Sequence, residues 1–150
     1  MWTRRTLATA AVGLTVPLAG TARAEEEKKP HRLAIQVSVN DPPLMTLALN
    51  NAVNVAQHYG EIGEEIEIEF VAYGPGLHML RNDTSPVKDR VKSVRQSMPS
   101  VTFTACGNTM DTMKKVEGKE VTLLPGVKVT QTGVVRLMEM QEKGWSYIRP

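Results

Sequence analysis

The sequence has a single cysteine, Cys106, among its 150 residues, and therefore no second thiol with which to form an intramolecular disulfide. It also lacks an apolar run of about 20 residues, the length that a membrane-spanning helix requires. No Ser/His/Asp grouping, glycine-rich phosphate loop or pair of carboxylates at useful spacing is visible. These absences argue against a hydrolase, a nucleotide-binding protein and a membrane span in the mature chain.

The sequence has little excess of charge of either sign. Lysine and arginine total 18 and aspartate and glutamate total 16, which gives a formal net charge of +2. Three arginines lie in residues 1–24, and without them the net charge becomes −1. Because a nucleic-acid-binding domain needs clustered lysine and arginine on its folded surface, no nucleic-acid partner is expected. Apolar residues make up 41 % of the chain, enough to bury the core of one domain.

Residues 1–24 have the order of features found in a signal peptide. Arg4 and Arg5 form a basic start, a weakly apolar run follows, and Ala22-Arg23-Ala24 ends it as an A-x-A cleavage site. The paired arginines fit the twin-arginine type of signal, and a general secretory signal is the alternative. The sequence therefore predicts a periplasmic protein, with cleavage after Ala24 and a charged leader over residues 25–32.

Strand and helix patterns alternate through the predicted domain, residues 33–150. Runs rich in β-branched residues predict strands, and apolar residues at helical spacing predict helices. The predicted strands are Leu33–Val39, Ile66–Tyr73, Val101–Ala105, one or two short strands within Val121–Val129, and Trp145–Ile148. The predicted helices run from Asp41-Pro42-Pro43 to a stop at Gly60, from Ser85-Pro86 to about Met98, over Asn108–Val116 and over Thr132–Lys143. This alternation predicts a three-layer α/β/α fold with a mainly parallel sheet of about five strands.

In such a sheet, ligands bind beyond the carboxyl ends of the strands. This rule selects four segments before any chemistry is considered. They are Asn40-Asp41, Gly74 to His78, Cys106-Gly107-Asn108 and Thr130-Gln131-Thr132. Asn40 and Asp41 are candidate lining residues, although helix capping by Asp41 explains this pair equally well.

Cys106 is the candidate catalytic residue. It follows a predicted central strand and precedes a helix that Asn108 or Thr109 can cap, so backbone N–H groups and the helix dipole would favour its thiolate. Gly107 leaves the sulfur unscreened, and Asn108 is a candidate donor to a bound sulfur species. The competing interpretation is a buried, inert cysteine that fills core space.

Several segments resemble the DsrE/DsrF-like family, small α/β proteins linked to sulfur relay. The resemblance lies in residues 49–54 (LNNAVN), 71–76 (VAYGPG), 101–110 (VTFTACGNTM), 124–127 (LPGV) and 137–150. It implies a sulfurtransferase or sulfur carrier in which Cys106 accepts sulfur as a persulfide, with unidentified donor and acceptor partners and a homo-oligomeric assembly. Family members often have histidine at the position of Tyr73. No cofactor is expected.

The sequence leaves three points open: the role of His78, a soft-metal site, and a binding module in place of sulfur transfer. His78 is a candidate neighbour that would hold Cys106 as thiolate, or an ordinary surface histidine. Cys106, Met110 and Met113 have a spacing that suits a soft-metal site for Cu(I), although Met110, Met113 and Val116 also form the apolar stripe that a short helix needs. The rival to sulfur transfer is a binding module, for a small molecule, copper or an oligomer partner, in which Cys106 never reacts.

Overall fold

The computed structural model describes residues 28–150. The predicted signal peptide and residues 25–27 of the leader therefore lie outside the described residues. The first strand begins at His31, two residues before the predicted start of the domain. None of the helices in the described part of the chain has the length and apolarity needed to cross a bilayer.

Five strands and four α-helices alternate along residues 28–150, as the sequence predicts. The elements are β1 (His31–Val37), α1 (Pro42–Glu61), β2 (Ile66–Ala72), a 3₁₀ helix (Gly74–Leu80), α2 (Lys88–Ser97), β3 (Val101–Cys106), α3 (Gly107–Glu117), β4 (Lys128–Thr130), α4 (Gly133–Glu142) and β5 (Ser146–Ile148). The 3₁₀ helix is the one element among them that sequence patterns missed.

The strands form one parallel sheet in the order β4-β3-β2-β1-β5. The connections from β1 to β4 all move in the same direction across the sheet, so right-handed crossovers place α1, α2 and α3 on one face. The connection from β4 to β5 returns across the whole sheet and places α4 on the other face. This arrangement confirms the three-layer α/β/α prediction. β3 is an interior strand between β2 and β4, whereas the central strand is β2.

Helix α1 starts as predicted and ends later. The Asp41 carboxylate accepts the N–H of Leu44 at 3.1 Å, which is an N-cap. The predicted stop at Gly60 is wrong, because the helix continues to Glu61. The left-handed residue is Gly63, with φ of 71°. Its N–H donates to Gly60 O, and the next N–H donates to Tyr59 O, the bonding pattern of a Schellman motif.

Two apolar cores lie on the two faces of the sheet. The larger core packs β1, β2 and β3 against α1, α2 and the 3₁₀ helix, with Phe70 and Phe103 stacked at 4.7 Å between ring centroids. The smaller core lies under α4 and consists of Ala34, Val71, Leu137 and Met140. Because side chains alternate along a strand, odd and even positions of β3 face different cores. Phe103 and Ala105 face the larger core, so Cys106 faces α4.

Candidate functional site

Cys106 occupies the junction between β3 and α3. It is the last residue of the strand and the N-cap residue of the helix, which begins at Gly107. The prediction that Asn108 or Thr109 caps this helix is wrong, since both lie inside its first turn. Backbone N–H groups at a helix start have no partner within the helix, so a helix start favours an anion at this position.

The N-terminus of a second helix, α4, also lies beside the sulfur atom. The N–H of Gly133, the first residue of α4, donates to Cys106 Sγ at 3.3 Å. The N-termini of α3 and α4 therefore converge on one thiol, and the positive ends of both helix dipoles lie beside it. In its thiol form, the S–H group of Cys106 donates a hydrogen bond to the carbonyl oxygen of Gln131, which lies 3.7 Å from Sγ.

These contacts shift the pKa of the Cys106 thiol. Burial, the largest single influence, raises the pKa. The N–H of Gly133, the hydroxyl and N–H of Thr109 and the N–H of Asn108 act in the opposite direction, and together they hold the pKa of the thiol below its ordinary value. The Thr109 hydroxyl is itself positioned, because it accepts the N–H of Gly74 at 2.9 Å. The site therefore favours thiolate through hydrogen bonds and helix ends.

The sulfur is more covered than the sequence predicts. Cys106 is only 6 % exposed, whereas its place at the sheet edge predicts an exposed thiol. The cover is the first turn of α4: a Cβ atom added to Gly133 would lie 3.2 Å from Cys106 Cβ and 3.4 Å from Tyr73 Cβ. Tyr73 itself packs against the smaller core. Glycine at position 133 thus permits the helix to approach closely enough for its N–H to reach the sulfur.

A network of polar side chains joins the two helix ends. Gln131 Nε2 donates to Asn108 Oδ1 at 2.6 Å, and Asn108 Nδ2 donates to Thr132 Oγ1 at 3.2 Å. The N–H of Asn108 also donates to Gln131 O at 2.9 Å. A Cβ atom on Gly107 would lie 3.3 Å from Gln131 Cα, so the absence of a side chain at Gly107 lets Gln131 pack closely against the start of α3. Gln131 and Gly133 were missed as contacts of Cys106, although the topological rule selected residues 130–132.

His78 lies near the site but has another partner. It belongs to the 3₁₀ helix, and its Nδ1 is 2.7 Å from Thr84 Oγ1. It lines a cavity of about 480 Å³ whose wall also includes Asn108, Thr109 and Met113. In residues 28–150 no hydrogen bond joins His78 to Cys106. The proposed pairing of this histidine with the thiol is therefore absent from the described structure.

Asn40 and Asp41 lie at the carboxyl end of β1, and both are exposed. Asp41 is the N-cap of α1, which matches the capping interpretation. No hydrogen bond within the described part of the chain connects either residue to Cys106. Their role as lining residues of the site gains no support from their positions.

The soft-metal arrangement is not formed. Met110 and Met113 pack against the larger core, on the sheet face opposite to α4, whereas Cys106 faces α4. Met113 Sδ lies 3.5 Å from an Arg81 nitrogen. Val116, the third member of the predicted apolar stripe, is 81 % exposed. Among residues 28–150 no three His, Cys, Asp or Glu side chains cluster as metal ligands.

The comparison with known families agrees with this architecture. The sequence model of the DsrE/DsrF-like family matches residues 33–150. The chain belongs to this family. Among solved structures, the protein of unknown function MTH1491 from Methanobacterium thermoautotrophicum is similar, with 31 % sequence identity and a TM-score of 0.68. The match covers 80 % of this chain and 99 % of that one. No curated protein matches the chain.

Proposed function

We propose that this DsrE/DsrF-like protein is an exported sulfur carrier in which Cys106 accepts sulfur as a persulfide and passes it to a partner. The observation that carries the proposal is the convergence of two helix N-termini on Sγ, with the N–H of Gly133 at 3.3 Å. Membership of a family associated with sulfur relay supports it. The signal-peptide pattern of residues 1–24 supports export, and no step of the chemistry depends on it.

The chemistry needs a thiolate and a donor that holds sulfane sulfur. The Cys106 thiolate attacks a sulfur atom of a polysulfide, a new S–S bond forms, and the old S–S bond breaks. The electron pair of the broken bond leaves with the shortened polysulfide. Delivery is the reverse process, in which an acceptor thiolate attacks the outer sulfur and Cys106 departs as thiolate. The sulfur is exchanged at constant oxidation level, so no cofactor is needed.

The same N–H groups suit each anionic form of this residue. Thiolate and persulfide both carry negative charge, and both are stabilised by the helix ends and by the donors around Sγ. The polar segment Asn108-Gln131-Thr132 provides further hydrogen-bonding groups where a terminal sulfur would extend. These residues bind and orient the sulfur, while Cys106 alone forms and breaks bonds.

Self-association is part of the proposal. Three large apolar side chains on α4 are about half exposed, namely Val134 at 48 %, Val135 at 48 % and Met138 at 53 %. A helix in a monomer normally buries its apolar residues on one face, so a second apolar face suits a subunit interface. Because α4 also covers Cys106, an interface formed by this helix lies next to the thiol.

The deciding experiment is intact-mass measurement after treatment with polysulfide. The native protein should gain whole-sulfur mass increments that a reductant removes, and Cys106→Ser should gain none. Serine is nearly isosteric with cysteine, so circular dichroism should be unchanged. A native protein that is readily alkylated at Cys106 yet gains no sulfur would contradict the proposal.

The rival is a binding module in which Cys106 does not react. The low exposure of Cys106, 6 %, favours it, as does the nearby cavity with its apolar residues Pro75, Met113 and Val116. The two functions differ in the behaviour of the thiol. If Cys106 resists alkylation in the native protein and reacts only in denaturant, the thiol is inert and the binding module is correct.

A further inference from the structure

The face of α4 that lies on the sheet contains a charged residue among small and apolar ones. Its buried residues are Gly133, Leu137 and Met140. Arg136 lies one turn from Gly133 on the same side of the helix, and its side chain is 31 % exposed. A charge at the contact between a helix and a sheet is unfavourable unless it is paired and hydrogen-bonded. An arginine at this position therefore requires a partner that compensates its charge.

The partner of Arg136 is Glu69 in the middle of β2, a residue only 6 % exposed. Arg136 Nε donates to Glu69 Oε1 at 2.9 Å, and Arg136 Nη2 donates to Oε2 at 2.6 Å. The Thr104 hydroxyl donates to Oε1 at 2.8 Å. Burial raises the pKa of Glu69, but these bonds outweigh it and hold the pKa below the ordinary 4.5. The carboxylate is thus ionised at neutral pH and bound through both oxygens.

This carboxylate joins the two elements that meet at the sulfur. Thr104 precedes Cys106 by two residues and points to the same face of β3. Arg136 follows Gly133 by one helical turn on α4. Glu69 is therefore bonded to β3 on one side and to α4 on the other, next to the place where Gly133 donates to Cys106. A two-bond guanidinium–carboxylate pair fixes orientation, which apolar packing does not.

We propose that Glu69 and Arg136 are positioning residues for Cys106, which tie the first turn of α4 to β3 and so hold the Gly133 N–H against Sγ. The inference rests on the proposed function in taking Cys106 as the reacting group. Its test measures the thiol itself, whereas the proposed function is tested by uptake of sulfur, so the two can fail separately.

The test is the pH profile of Cys106 alkylation in Glu69→Gln. Glutamine keeps the shape and the hydrogen bond to Thr104, but it removes the charge that holds Arg136. The midpoint of the profile should move up toward that of a free thiol, near pH 8.5. Since the thiolate is the form that reacts, alkylation at pH 6 should be roughly tenfold slower than in wild-type protein. Circular dichroism establishes that the variant is folded, and urea unfolding gives its stability.

The matched control is Asp83→Asn, which removes a carboxylate from the fully buried Arg81 in the loop after the 3₁₀ helix. It should lower stability and leave the alkylation midpoint unchanged. Other charged residues near the site are not substituted in any of these variants. They are Asp111 of α3, which Gln131 contacts at 3.4 Å, Lys128 of β4 and Glu139 of α4.

Arg136→Lys is the second variant and decides the question if Glu69→Gln does not fold. Lysine keeps the positive charge but cannot donate through a planar pair of nitrogens, so the midpoint should rise above the wild-type value, by less than in a folded Glu69→Gln. Folded variants that lose stability yet keep the wild-type midpoint would show a purely structural ion pair and overturn the inference. An equal shift in Asp83→Asn would overturn it too. If the midpoints shift but wild-type protein takes up no sulfur, the inference stands and the proposed function fails.

Discussion

Replacing Gly133 with alanine tests the close contact between α4 and Cys106. The added Cβ would meet Cys106 Cβ at 3.2 Å and the side chains of Tyr73 and Val71 at 3.4 Å. Two of these atoms are Cβ atoms next to the backbone, and the third, Val71 Cγ1, belongs to a stiff β-branched side chain on β2, so none is the far end of a flexible side chain. Overpacking of this kind costs about 1–3 kcal/mol. Alanine is a better helix former than glycine by up to about 1 kcal/mol, which offsets part of the cost. We expect a net destabilisation of about 1–2 kcal/mol.

The same substitution should alter the chemistry of the thiol. To relieve the contact, the first turn of α4 must move away from β3 by a few tenths of an ångström or more. The hydrogen bond from the Gly133 N–H to Sγ, now 3.3 Å, lengthens as a result. Since this bond lowers the pKa of Cys106, the midpoint of its alkylation profile should rise. Any gain in exposure of the sulfur acts in the opposite direction, because burial raises the pKa, so the rise is smaller than the loss of this bond alone would give.

The assays are urea unfolding followed by circular dichroism, and alkylation rates from pH 5 to 9. Gly60→Ala is the matched control, because Gly60 is also helical and a Cβ there meets nothing within 4 Å. It should stabilise the protein by roughly 0.4–1 kcal/mol and leave the thiol unchanged. The reasoning is refuted if Gly133→Ala is as stable as Gly60→Ala with a wild-type alkylation midpoint.

Further predictions concern the thiol, acid stability, assembly and export. Native Cys106 should be alkylated at pH values where a free cysteine reacts slowly, and Cys106→Ser should abolish both alkylation and sulfur uptake in intact-mass spectra. The folded-state pKa of Glu69 is lowered, so its stabilising contribution is present above about pH 4.5 and is lost as the pH falls further; urea unfolding between pH 7 and 3 should show a weaker decline in Glu69→Gln. Sedimentation at micromolar concentration should show a trimer or larger ring that Val135→Glu dissociates, and a wild-type monomer would contradict this. N-terminal sequencing of the periplasmic protein should begin at Glu25, and a start at Met1 would exclude cleavage after Ala24.

The stabilised thiolate of Cys106 is also a target for oxidation. A thiolate stabilised by helix ends is also more readily oxidised than an ordinary thiol, and Cys106 has no second cysteine with which to form a protective disulfide. Its 6 % exposure under the first turn of α4 limits the approach of oxidants. The variants that loosen this turn should therefore accumulate sulfinic or sulfonic acid at Cys106 faster than wild-type protein in intact-mass spectra.

Local sequence patterns determined the elements and their order. Within residues 28–150, the apolar periods of two and of 3.6 residues identify the four α-helices and four of the five strands to within a few residues, since each period reports which side of an element is buried. The fourth strand, expected within Val121–Val129, is Lys128–Thr130. The alternation of strands and helices then predicts a parallel sheet, and strand polarity places Cys106 at its ligand-binding edge. The candidate reactive residue was thus available from the sequence.

Some local predictions failed where a neighbouring residue had the stronger effect. The sequence predicts that α1 ends at Gly60, but Gly60 is helical and Gly63 is the residue that adopts the left-handed conformation. The sequence predicts a core stripe of Met110, Met113 and Val116, but only the two methionines pack against the larger core, and Val116 is exposed. A sequence pattern gives the spacing of apolar residues but not the width of the surface that covers them.

Only the tertiary structure decided what surrounds the sulfur. The donor from Gly133 is 27 residues away from Cys106 in the chain, and the pair Glu69–Arg136 spans 67 residues. Contacts of this separation depend on the return of the chain from β4 across the sheet, which places α4, alone among the helices of the described residues, on the second face. They depend also on the rotation of α4 about its axis, which a close contact at one glycine and one ion pair fix. The spacing of residues along the chain specifies neither the path of the chain across the sheet nor the rotation of α4. For this reason only the tertiary structure shows how deeply Cys106 is buried and which groups donate to its sulfur.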